Sequence, residues 1–403
     1  MRDASIAPSM PSKLATTTLA LALFAITGHA SAETSLPTAV TAPAFDKGLP
    51  RPFFVDMIGA NDNHALLRMK PRNGELTYGV LDLSTSCIVE TRPTFARVEK
   101  LKRLQYPRQN EAAQALADPA VQVELRRYIA FHRRFGLQRD GEFVTSSDFA
   151  WSSDGSKVIA LGAEAIFRSR DGGQSFEQLD TNMSRVPFVT RDGRWAYYQR
   201  CGDPKLHSGA CLQNQEIGIV DLGSAAAPRV VTATQGSIAG LDPTGQKLVV
   251  VRDDEPLKLV TTHLDPTNGT FARAFTLAAP PLPKHQYFTL DPSRGGKFGT
   301  FHHWVNATQS IVEVVSMTDG RVVFKQQRQF VGHDVDDEGR LAWGTVNLVR
   351  SFGTTPKGAI KDAGPGDRIG WAPGGRLLVF DNKKDANTKL GDVACKLVRV
   401  VKM

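Results

Sequence analysis

Short apolar runs, rich in β-branched and aromatic residues, alternate with polar turns along most of this chain. Runs of this kind, bounded by Gly, Pro, Asn and Asp, predict β-strands. Six turns share one form, in which Asp or Pro followed by Gly separates two apolar runs. They lie within residues 149–160, 188–197, 241–250, 290–298, 335–343 and 371–380. The pattern therefore predicts an all-β protein built from repeated hairpins.

The hairpins recur about every 35 to 52 residues, which is typical of the blades of a β-propeller. We predict seven four-stranded blades, with six and eight as open alternatives. The predicted blades span residues 52–92, 143–181, 186–233, 237–278, 286–327, 330–363 and 368–403. The last of them contains only three predicted strands. Residues 36–44 are expected to supply its fourth strand, because such closure removes exposed sheet edges.

Residues 1–32 have the pattern of a secretory signal peptide. An apolar run at 14–26 precedes an A-x-A cleavage site at 30–32. This run is shorter than the roughly 20 residues that span a bilayer. We expect cleavage after Ala32 and a mature protein that is periplasmic or secreted, with no transmembrane segment. An N-terminal segment at 33–50 and a propeller domain at 51–403 would follow.

Residues 95–141 interrupt the strand pattern and favour helices. Asp118 followed by Pro119 is a helix start signal, and Gly136 is a stop signal, so a helix is predicted from Pro119 to Phe135. An apolar stripe at helical spacing is expected to pack on the propeller; it consists of Val121, Leu125, Tyr128, Ile129 and His132. Four arginines lie on the other side: Arg126, Arg127, Arg133 and Arg134.

The basic charge of the chain is concentrated in this insertion. The whole chain has a formal net charge of +8. Between Arg97 and Asp140 there are ten Lys or Arg and five Asp or Glu, a net of +5. This surface could bind an acidic protein partner, an anionic glycan or lipid headgroups. The alternative is an exposed helix face whose basic residues are only solvated.

Four cysteines in an exported chain favour disulfides. Cys201 and Cys211 flank a short loop and are expected to close it. Cys87 lies in the first predicted blade and Cys395 in the last. Because these blades would be neighbours in a closed propeller, a Cys87–Cys395 bond would join the two ends of the ring.

Residues 169–176 match the pattern S-x-D-x-G-x-[S/T]-[F/W] through Ser169, Asp171, Gly173, Ser175 and Phe176. This turn resembles those of the Asp-box (BNR-type) propeller proteins, and that resemblance implies a sialidase-like glycosidase. The alternative, which the local chemistry favours, is a turn that only stabilises its hairpin: Asp171 accepts backbone N–H groups and Gly173 takes a positive φ. The F-R-I-P-type segment of sialidases is absent from the start of this chain.

Two of the six turns, at 151–158 and 371–377, are similar to the W-S-P-D-G turns of TolB-like and WD-type propellers. The resemblance covers residues 50–403 apart from the insertion. It implies a docking platform in a bacterial envelope.

Other candidate chemistry is weaker. Residues 333–339 faintly resemble a calcium loop but coincide with a predicted β-turn, which we favour. His285, His302, His303 and His333 could meet in one channel, but no ligand spacing supports a metal site. Nothing in the sequence indicates a cofactor, and the basic helix lacks the interleaved aromatic residues typical of nucleic-acid binding.

The sequence favours a non-enzymatic binding or scaffold protein that contacts a protein partner or an anionic envelope component. Contact would occur through the basic insertion or one propeller face. The alternative is a glycan-active hydrolase or lyase that uses the central pocket. A third possibility is a propeller that mainly supports a larger assembly. The ligand and the oligomeric state stay open.

Overall fold

A computed structural model shows the fold from residue 46 to residue 403. The described part excludes residues 53, 72–74, 105–108, 140–146, 163–164, 182–183, 202–213, 235, 256–257, 279–287, 307–308, 329–331, 346–349, 355–357, 367 and 381–388. The signal peptide, its cleavage site and most of the segment at 33–50, including the strand expected at 36–44, lie outside the described residues.

Seven antiparallel sheets follow one another along the described chain. Sheet 1 contains β1 (Phe54–Ala60), β2 (His64–Lys70), β3 (Thr77–Asp82) and β4 (Cys87–Pro93). Three helices come next: α1 (Ala96–Lys102), α2 (Gln109–Ala117) and α3 (Pro119–Arg133). Sheet 2 contains β5 (Ser147–Trp151), β6 (Val158–Gly162), β7 (Ala165–Ser169) and β8 (Glu177–Asp180).

Sheets 3, 4 and 5 repeat the same order of strands. Sheet 3 contains β9 (Ser184–Val189), β10 (Trp195–Cys201), β11 (Asn214–Asp221) and β12 (Arg229–Thr234). Sheet 4 contains β13 (Gly236–Leu241), β14 (Leu248–Glu255), β15 (Lys258–Asp265) and β16 (Thr270–Ala278). Sheet 5 contains β17 (Phe288–Pro292), β18 (Phe298–Asn306), β19 (Gln309–Ser316) and β20 (Val322–Arg328).

The last two sheets differ in strand number. Sheet 6 contains β21 (Gly332–Val335), β22 (Leu341–Thr345), β23 (Arg350–Thr354) and β24 (Ile360–Pro365). Sheet 7 has three described strands, β25 (Arg368–Ala372), β26 (Arg376–Phe380) and β27 (Val398–Lys402), with the short helix α4 (Leu390–Val393) before β27. The predicted positions of the seven strand groups are confirmed.

Each sheet is buried on both faces because it packs between two others. Successive side chains of a strand point to opposite faces. Tyr197 therefore packs in a cluster with sheet 4, whereas the next residue, Tyr198, packs in a cluster with sheet 2. In the same way, Ala342 packs in a cluster with sheet 7, whereas Trp343 packs in a cluster with sheet 5. Such strands have no polar side, which explains their continuous apolar runs.

Sheet 1 and sheet 7 also share a hydrophobic cluster, in which Val55 and Leu67 lie with Leu378 and Phe380. The Cys87–Cys395 disulfide joins these two parts of the chain, with an S–S distance of 2.02 Å. The predicted bond between the first and last sheets is thus confirmed. The Cys201–Cys211 loop lies outside the described residues, so that bridge stays a prediction.

The six predicted turns are formed, and they also join neighbouring sheets. Gly193 illustrates both roles. Its φ is +68°, and its N–H donates to the carbonyl of Thr190 at 2.8 Å. A Cβ on Gly193 would lie 2.6 Å from the Cβ of Ser152 in the turn of sheet 2. Only glycine satisfies the positive φ and the close approach together.

The helical insertion packs between sheets 1 and 2. One hydrophobic cluster contains Leu66 and Tyr78 of sheet 1, Leu125 of α3, and Phe149 and Trp151 of sheet 2. The insertion is therefore part of the core, and all five residues of the predicted stripe are buried. No helix in the described part of the chain is long and apolar enough to cross a membrane.

The start of α3 follows the prediction. Pro119 is its first residue, and the Asp118 side chain accepts a hydrogen bond from the Ala120 N–H at 2.8 Å. The helix ends at Arg133, two residues earlier than predicted. The N–H of Phe135 instead donates to the carbonyl of His132, three residues back, so the last turn is tighter than an α-helix.

Candidate functional site

The four arginines predicted for the insertion fall into two pairs with different surroundings. Arg133 donates from Nε to the carbonyl of Ser153 in sheet 2 at 2.7 Å. Arg134 forms an ion pair with Glu90 of sheet 1 at 3.1 Å. These two side chains attach the end of α3 to the sheets on either side of it.

The ion pair with Arg134 affects the pKa of the Glu90 carboxyl. Burial alone would raise the pKa of the Glu90 carboxyl, but hydrogen bonds and charge from Arg134 and Arg92 outweigh it and hold the pKa below its usual range. Glu90 is thus a charged anchor at pH 7, and Arg134 is largely committed to it.

Arg126 and Arg127 form the second pair. Arg127 is exposed, and Arg126 is half-buried beside Gly173 of the turn at 169–176. Neither makes an ion pair with the residues that the structure describes. These two cations are available to an external group.

Two more of the insertion's basic residues are occupied internally. The Lys102 side chain is fully buried, 3.7 Å from the Glu99 carboxylate, which also accepts a hydrogen bond from the Tyr78 hydroxyl at 3.3 Å. Arg97 pairs with Glu124. Lys100 and Arg103 are exposed, like Arg127. The outward positive charge is therefore smaller than the sequence count suggests.

The turn at 169–176 has the hydrogen bonds expected of it. The Asp171 carboxylate accepts from the N–H groups of Gln174 and Ser175 at 3.0 Å each, and from the Ser175 hydroxyl at 2.5 Å. The Ser169 hydroxyl donates to Asp171 at 2.7 Å and accepts from the Gly173 N–H at 2.7 Å. Gly173 has a φ of +85°, and Phe176 packs against the core that contains α3.

These hydrogen bonds determine the protonation state of the Asp171 carboxyl. Burial opposes ionisation, but the hydrogen bonds from Ser175, Ser169 and Gln174 together hold the pKa of Asp171 below its usual range. The carboxylate is occupied by its own turn. We therefore assign it a structural role in this hairpin.

The first strands of several neighbouring sheets contact each other, as do β13 with β17 and β21 with β25. Later strands carry exposed apolar residues such as Val230 and Val322. One such contact joins sheets 6 and 7. The Oδ2 of Asp334 in β21 accepts a hydrogen bond from the N–H of Trp371 in β25 at 2.8 Å. Gly240 of β13 lies against Pro292 of β17. We call this edge of the sheets, where first strands meet, the inner rim.

A polar cluster lies on this inner rim, between sheets 5 and 6. The rings of His302 (β18) and His333 (β21) are edge to face, with centroids 4.9 Å apart. The Nε2 of His333 lies 3.9 Å from the Oδ2 of Asp291 in β17. The Thr289 hydroxyl donates to that same oxygen at 2.9 Å. We call Thr289, Asp291, His302 and His333 the inner-rim cluster.

Burial sets the charge of this cluster. It lowers the pKa of His333 to about 4. Burial, and then the neighbouring His333, lower the pKa of His302 to about 4 as well. Burial raises the pKa of the Asp291 carboxyl, although its side chain is 53% exposed. At pH 7 both imidazoles are therefore neutral.

The histidine hypothesis of the sequence is answered only in part. His302 and His333 meet, but His303 pairs across the sheet with Phe288 and packs near Phe301, on the other face. His285 lies outside the described residues. No group of three His, Cys, Asp or Glu among the described residues suits a metal ion. Asp291 is the member of the cluster that sequence inspection missed, because only the packing of sheet 5 on sheet 6 brings it to His333.

The calcium-like segment at 333–339 consists of the end of β21 and the turn that follows it. The Asp336 carboxylate accepts from the N–H groups of Glu338 at 3.0 Å and Arg340 at 2.9 Å, and Gly339 has a φ of +76°. The favoured β-turn is thus confirmed.

Comparison with known proteins shows a shared fold and no family. No protein-family model matches the chain, and no curated protein matches its sequence. Dipeptidyl peptidase 4 of Porphyromonas gingivalis is similar in structure, with 9% identity, 82% of this chain and 56% of that chain covered, and a TM-score of 0.51.

Two less similar structures are a putative TolB from Agrobacterium tumefaciens and the Cps50 (Swd1) β-propeller domain of Myceliophteria thermophila. The TolB match has 14% identity, covers 53% of this chain and 78% of that chain, and has a TM-score of 0.32. The Cps50 match has 10% identity, covers 63% and 85%, and has a TM-score of 0.37. At 9% identity, the likeness to the dipeptidyl peptidase concerns the fold and not the activity.

Proposed function

We propose that this chain is an exported, closed seven-bladed β-propeller that binds a partner and does not catalyse a reaction. The closed form is supported by the shared cluster and the disulfide between sheets 1 and 7. Export is supported by the disulfide, since such bonds persist in oxidising compartments.

The observation that carries the binding role is the way the insertion is held. Its apolar side is part of the core between sheets 1 and 2, so its outward side is rigid. Arg127, Lys100 and Arg103 remain exposed on it. Because the helix backbone that carries these cations is already packed, binding an anionic group does not have to order it. Of the four predicted arginines, Arg126 and Arg127 are the proposed direct contacts, whereas Arg133 and Arg134 hold the end of α3 in place. The proposed partner is an acidic protein or an anionic envelope component.

The alternative of a glycan-active hydrolase or lyase has less support among the residues that the structure describes. Asp171 of the Asp-box-like turn is bonded within its own hairpin. The inner-rim cluster shows one carboxylate beside two imidazoles, and not the paired carboxylates that most glycoside hydrolases use.

The test uses tagged mature protein to capture partners from an envelope extract. One variant carries Arg126→Glu and Arg127→Glu. A second carries Arg133→Glu and Arg134→Glu. A control with the same change in charge carries Arg321→Glu and Lys396→Glu, on exposed positions outside the insertion. Circular dichroism checks that each variant is folded.

We expect the first variant to lose the partner while the control keeps it. The second variant should lose stability as well, since Arg133 and Arg134 hold α3 against the sheets. Vesicles with and without anionic lipid provide a second assay that separates a lipid surface from a protein. Equal capture by the first variant and the control would contradict the proposal.

A further inference from the structure

We propose that residues Phe135–Arg139, at the end of the helical insertion, form a plug that crosses the axis of the propeller and closes one end of its central channel. Arg294 holds this plug from the opposite side of the ring. The proposal rests on the closed ring proposed above, but it does not depend on the partner of the basic surface. It follows from the sheets that this short stretch contacts.

The plug begins against sheet 1. Asn61, in the turn after β1, donates from Nδ2 to the carbonyl of Arg134 at 2.8 Å. Leu137 packs on Gly59 of β1, where an added Cβ would lie 2.8 Å from the Leu137 Cδ2. The stretch after α3 therefore lies directly on the end of the first strand of sheet 1.

The plug continues along the free edge of sheet 2. Trp151 of β5 donates from its backbone N–H to the carbonyl of Gln138 and from Nε1 to the carbonyl of Leu137, both at 2.8 Å. Arg139 pairs with Ala150 of β5 in an antiparallel bridge. Because β6 pairs with the other edge of β5, these bonds place the plug on the inner-rim side of sheet 2.

Two further contacts reach sheets beyond this junction. The Arg139 guanidinium lies over the ring of Phe188 in β9 of sheet 3, 4.8 Å from the ring centroid. Arg294, which follows β17 of sheet 5, donates from Nη2 to the carbonyl of Phe135. A Cβ on Gly136 would collide with the same guanidinium. The plug thus contacts sheets 1, 2, 3 and 5.

This set of sheets determines where the plug lies. Sheet 4 separates sheet 3 from sheet 5 along the chain, and sheets 6 and 7 separate sheet 5 from sheet 1. A stretch of five residues spans at most about 17 Å. In a closed ring of seven sheets, such a stretch reaches both sides only where the inner edges converge, at the axis.

The same contacts show which end of the channel is closed. Asn61 and Arg294 both follow the last residues of first strands, in the turns that lead to the second strands. The plug therefore closes the end of the channel at which the first strands finish. The end at which the first strands begin is then the entrance to any central site.

Arg294 joins the plug to the far side of the ring. Burial lowers the pKa of its guanidinium, and the nearby carboxylates of Asp337 in sheet 6 and Asp62 in sheet 1 partly offset this effect. A hydrogen bond from a charged donor is stronger than one between neutral groups. Removal of this side chain should therefore loosen the plug.

Amide hydrogen exchange of the Trp151 N–H measures how firmly the plug is held, because this group donates to the carbonyl of Gln138. Arg294→Ala is the test variant. Lys297→Ala is the control, since Lys297 is an exposed cation in the same turn. We expect exchange to be at least tenfold faster in Arg294→Ala and unchanged in the control. Equal exchange in the two folded variants would overturn the role of Arg294.

Nitroxide labels test the position of the plug in protein that retains Arg294. One label is attached at Lys297→Cys, and a second at Arg321→Cys, in the outer hairpin of the same sheet. We expect the first label to broaden the amide NMR signals of residues 135–139 much more than the second does. The plug is overturned if the first label leaves these signals sharp or if both labels broaden them equally.

A third label separates failure of the plug from failure of the closed ring. Lys396→Cys places it beside the Cys87–Cys395 bond, where it should broaden the amide signal of Ile88 in sheet 1. If Ile88 is broadened and residues 135–139 are not, the plug alone is wrong. If Ile88 is not broadened, the closed ring is wrong, and the plug with it.

Discussion

Cys87 and Cys395 are bonded to each other although 308 positions separate them in the sequence. Beside this bond, the Ile88 N–H donates to the carbonyl of Ala394 at 3.1 Å. The junction between sheets 1 and 7 is therefore held by a covalent bond, a backbone hydrogen bond and a shared hydrophobic cluster.

Replacing both Cys87 and Cys395 with Ala should lower the free energy of unfolding by up to about 5 kcal/mol. The bond closes a very long loop, and the loss of unfolded-state entropy grows with loop length. Urea unfolding of the two proteins measures the difference. A Cys201→Ser and Cys211→Ser variant leaves the junction intact and should cost less; equal losses in the two variants would argue against a special role for the junction.

Asp171→Ala should destabilise the protein by about 1 to 3 kcal/mol, because two backbone N–H groups and a hydroxyl lose their acceptor. Binding of the partner captured through the insertion should be unchanged once the variant is folded. Thermal unfolding and repeat capture measure the two effects. A stable variant that no longer binds would give this turn a functional role.

Asp334 should make the protein less stable as the pH rises. Burial raises its pKa to about 7, so between pH 4 and pH 7 the folded state holds a proton that the unfolded state has released. Asp334→Asn removes the charge and keeps one oxygen, which can accept from the Trp371 N–H, but it loses the acceptor of the Val335 N–H. We expect its stability relative to the natural protein to rise by about 4 kcal/mol between pH 4 and pH 8.

Urea unfolding at both pH values tests this expectation. Asp319→Asn is the comparison, since it makes the same chemical change in an exposed turn. A gain at pH 8 that persists unchanged at pH 4 would show that the amide acts through something other than the charge of Asp334.

His302 and His333 should have the opposite effect, and make the protein less stable as the pH falls. Their pKa values of about 4 lie below the usual value near 6.5, so the unfolded state binds protons first. Stability is then fully present above pH 6.5 and is lost as the pH falls to 4. A His333→Gln variant should lose less stability over this range than the natural protein, which urea unfolding at pH 7 and pH 4.5 will measure. An unchanged slope would mean that His333 does not contribute to the acid sensitivity.

Leu125→Ala should destabilise the whole protein by about 2 to 5 kcal/mol, because Leu125 is fully buried in the cluster that joins sheets 1 and 2. Loss of helix and loss of aromatic packing should coincide in one transition at lower temperature. Far- and near-ultraviolet circular dichroism follow the two signals. A helix signal that melts alone would show that the insertion is an independent appendage.

The local features of this fold were predictable from the sequence, and the long-range ones mostly were not. The turn around Asp171 and Gly173 and the helix start at Asp118 depend on bonds between residues a few positions apart. The Cys87–Cys395 bond was predictable because the repeat count makes the first and last sheets neighbours.

The surroundings of the arginines and histidines could not be predicted, because they depend on residues far apart in the sequence. Arg134 faces the helix exterior by its spacing, yet Glu90 reaches it from another element. Lys102 carries a charge in the sequence and is buried in the structure. Asp291 and His333 belong to different repeats, so neither spacing nor composition connects them.

The helical insertion makes the junction of sheets 1 and 2 unlike the other junctions that the structure describes. Repeated sheets give a partner several similar places to dock, and hence several orientations. Three helices lie between sheets 1 and 2, whereas the helix that packs with sheets 1 and 7 is the four-residue α4. A partner that contacts Arg127 would therefore recognise a surface that no other described junction repeats, and it would bind in a single orientation.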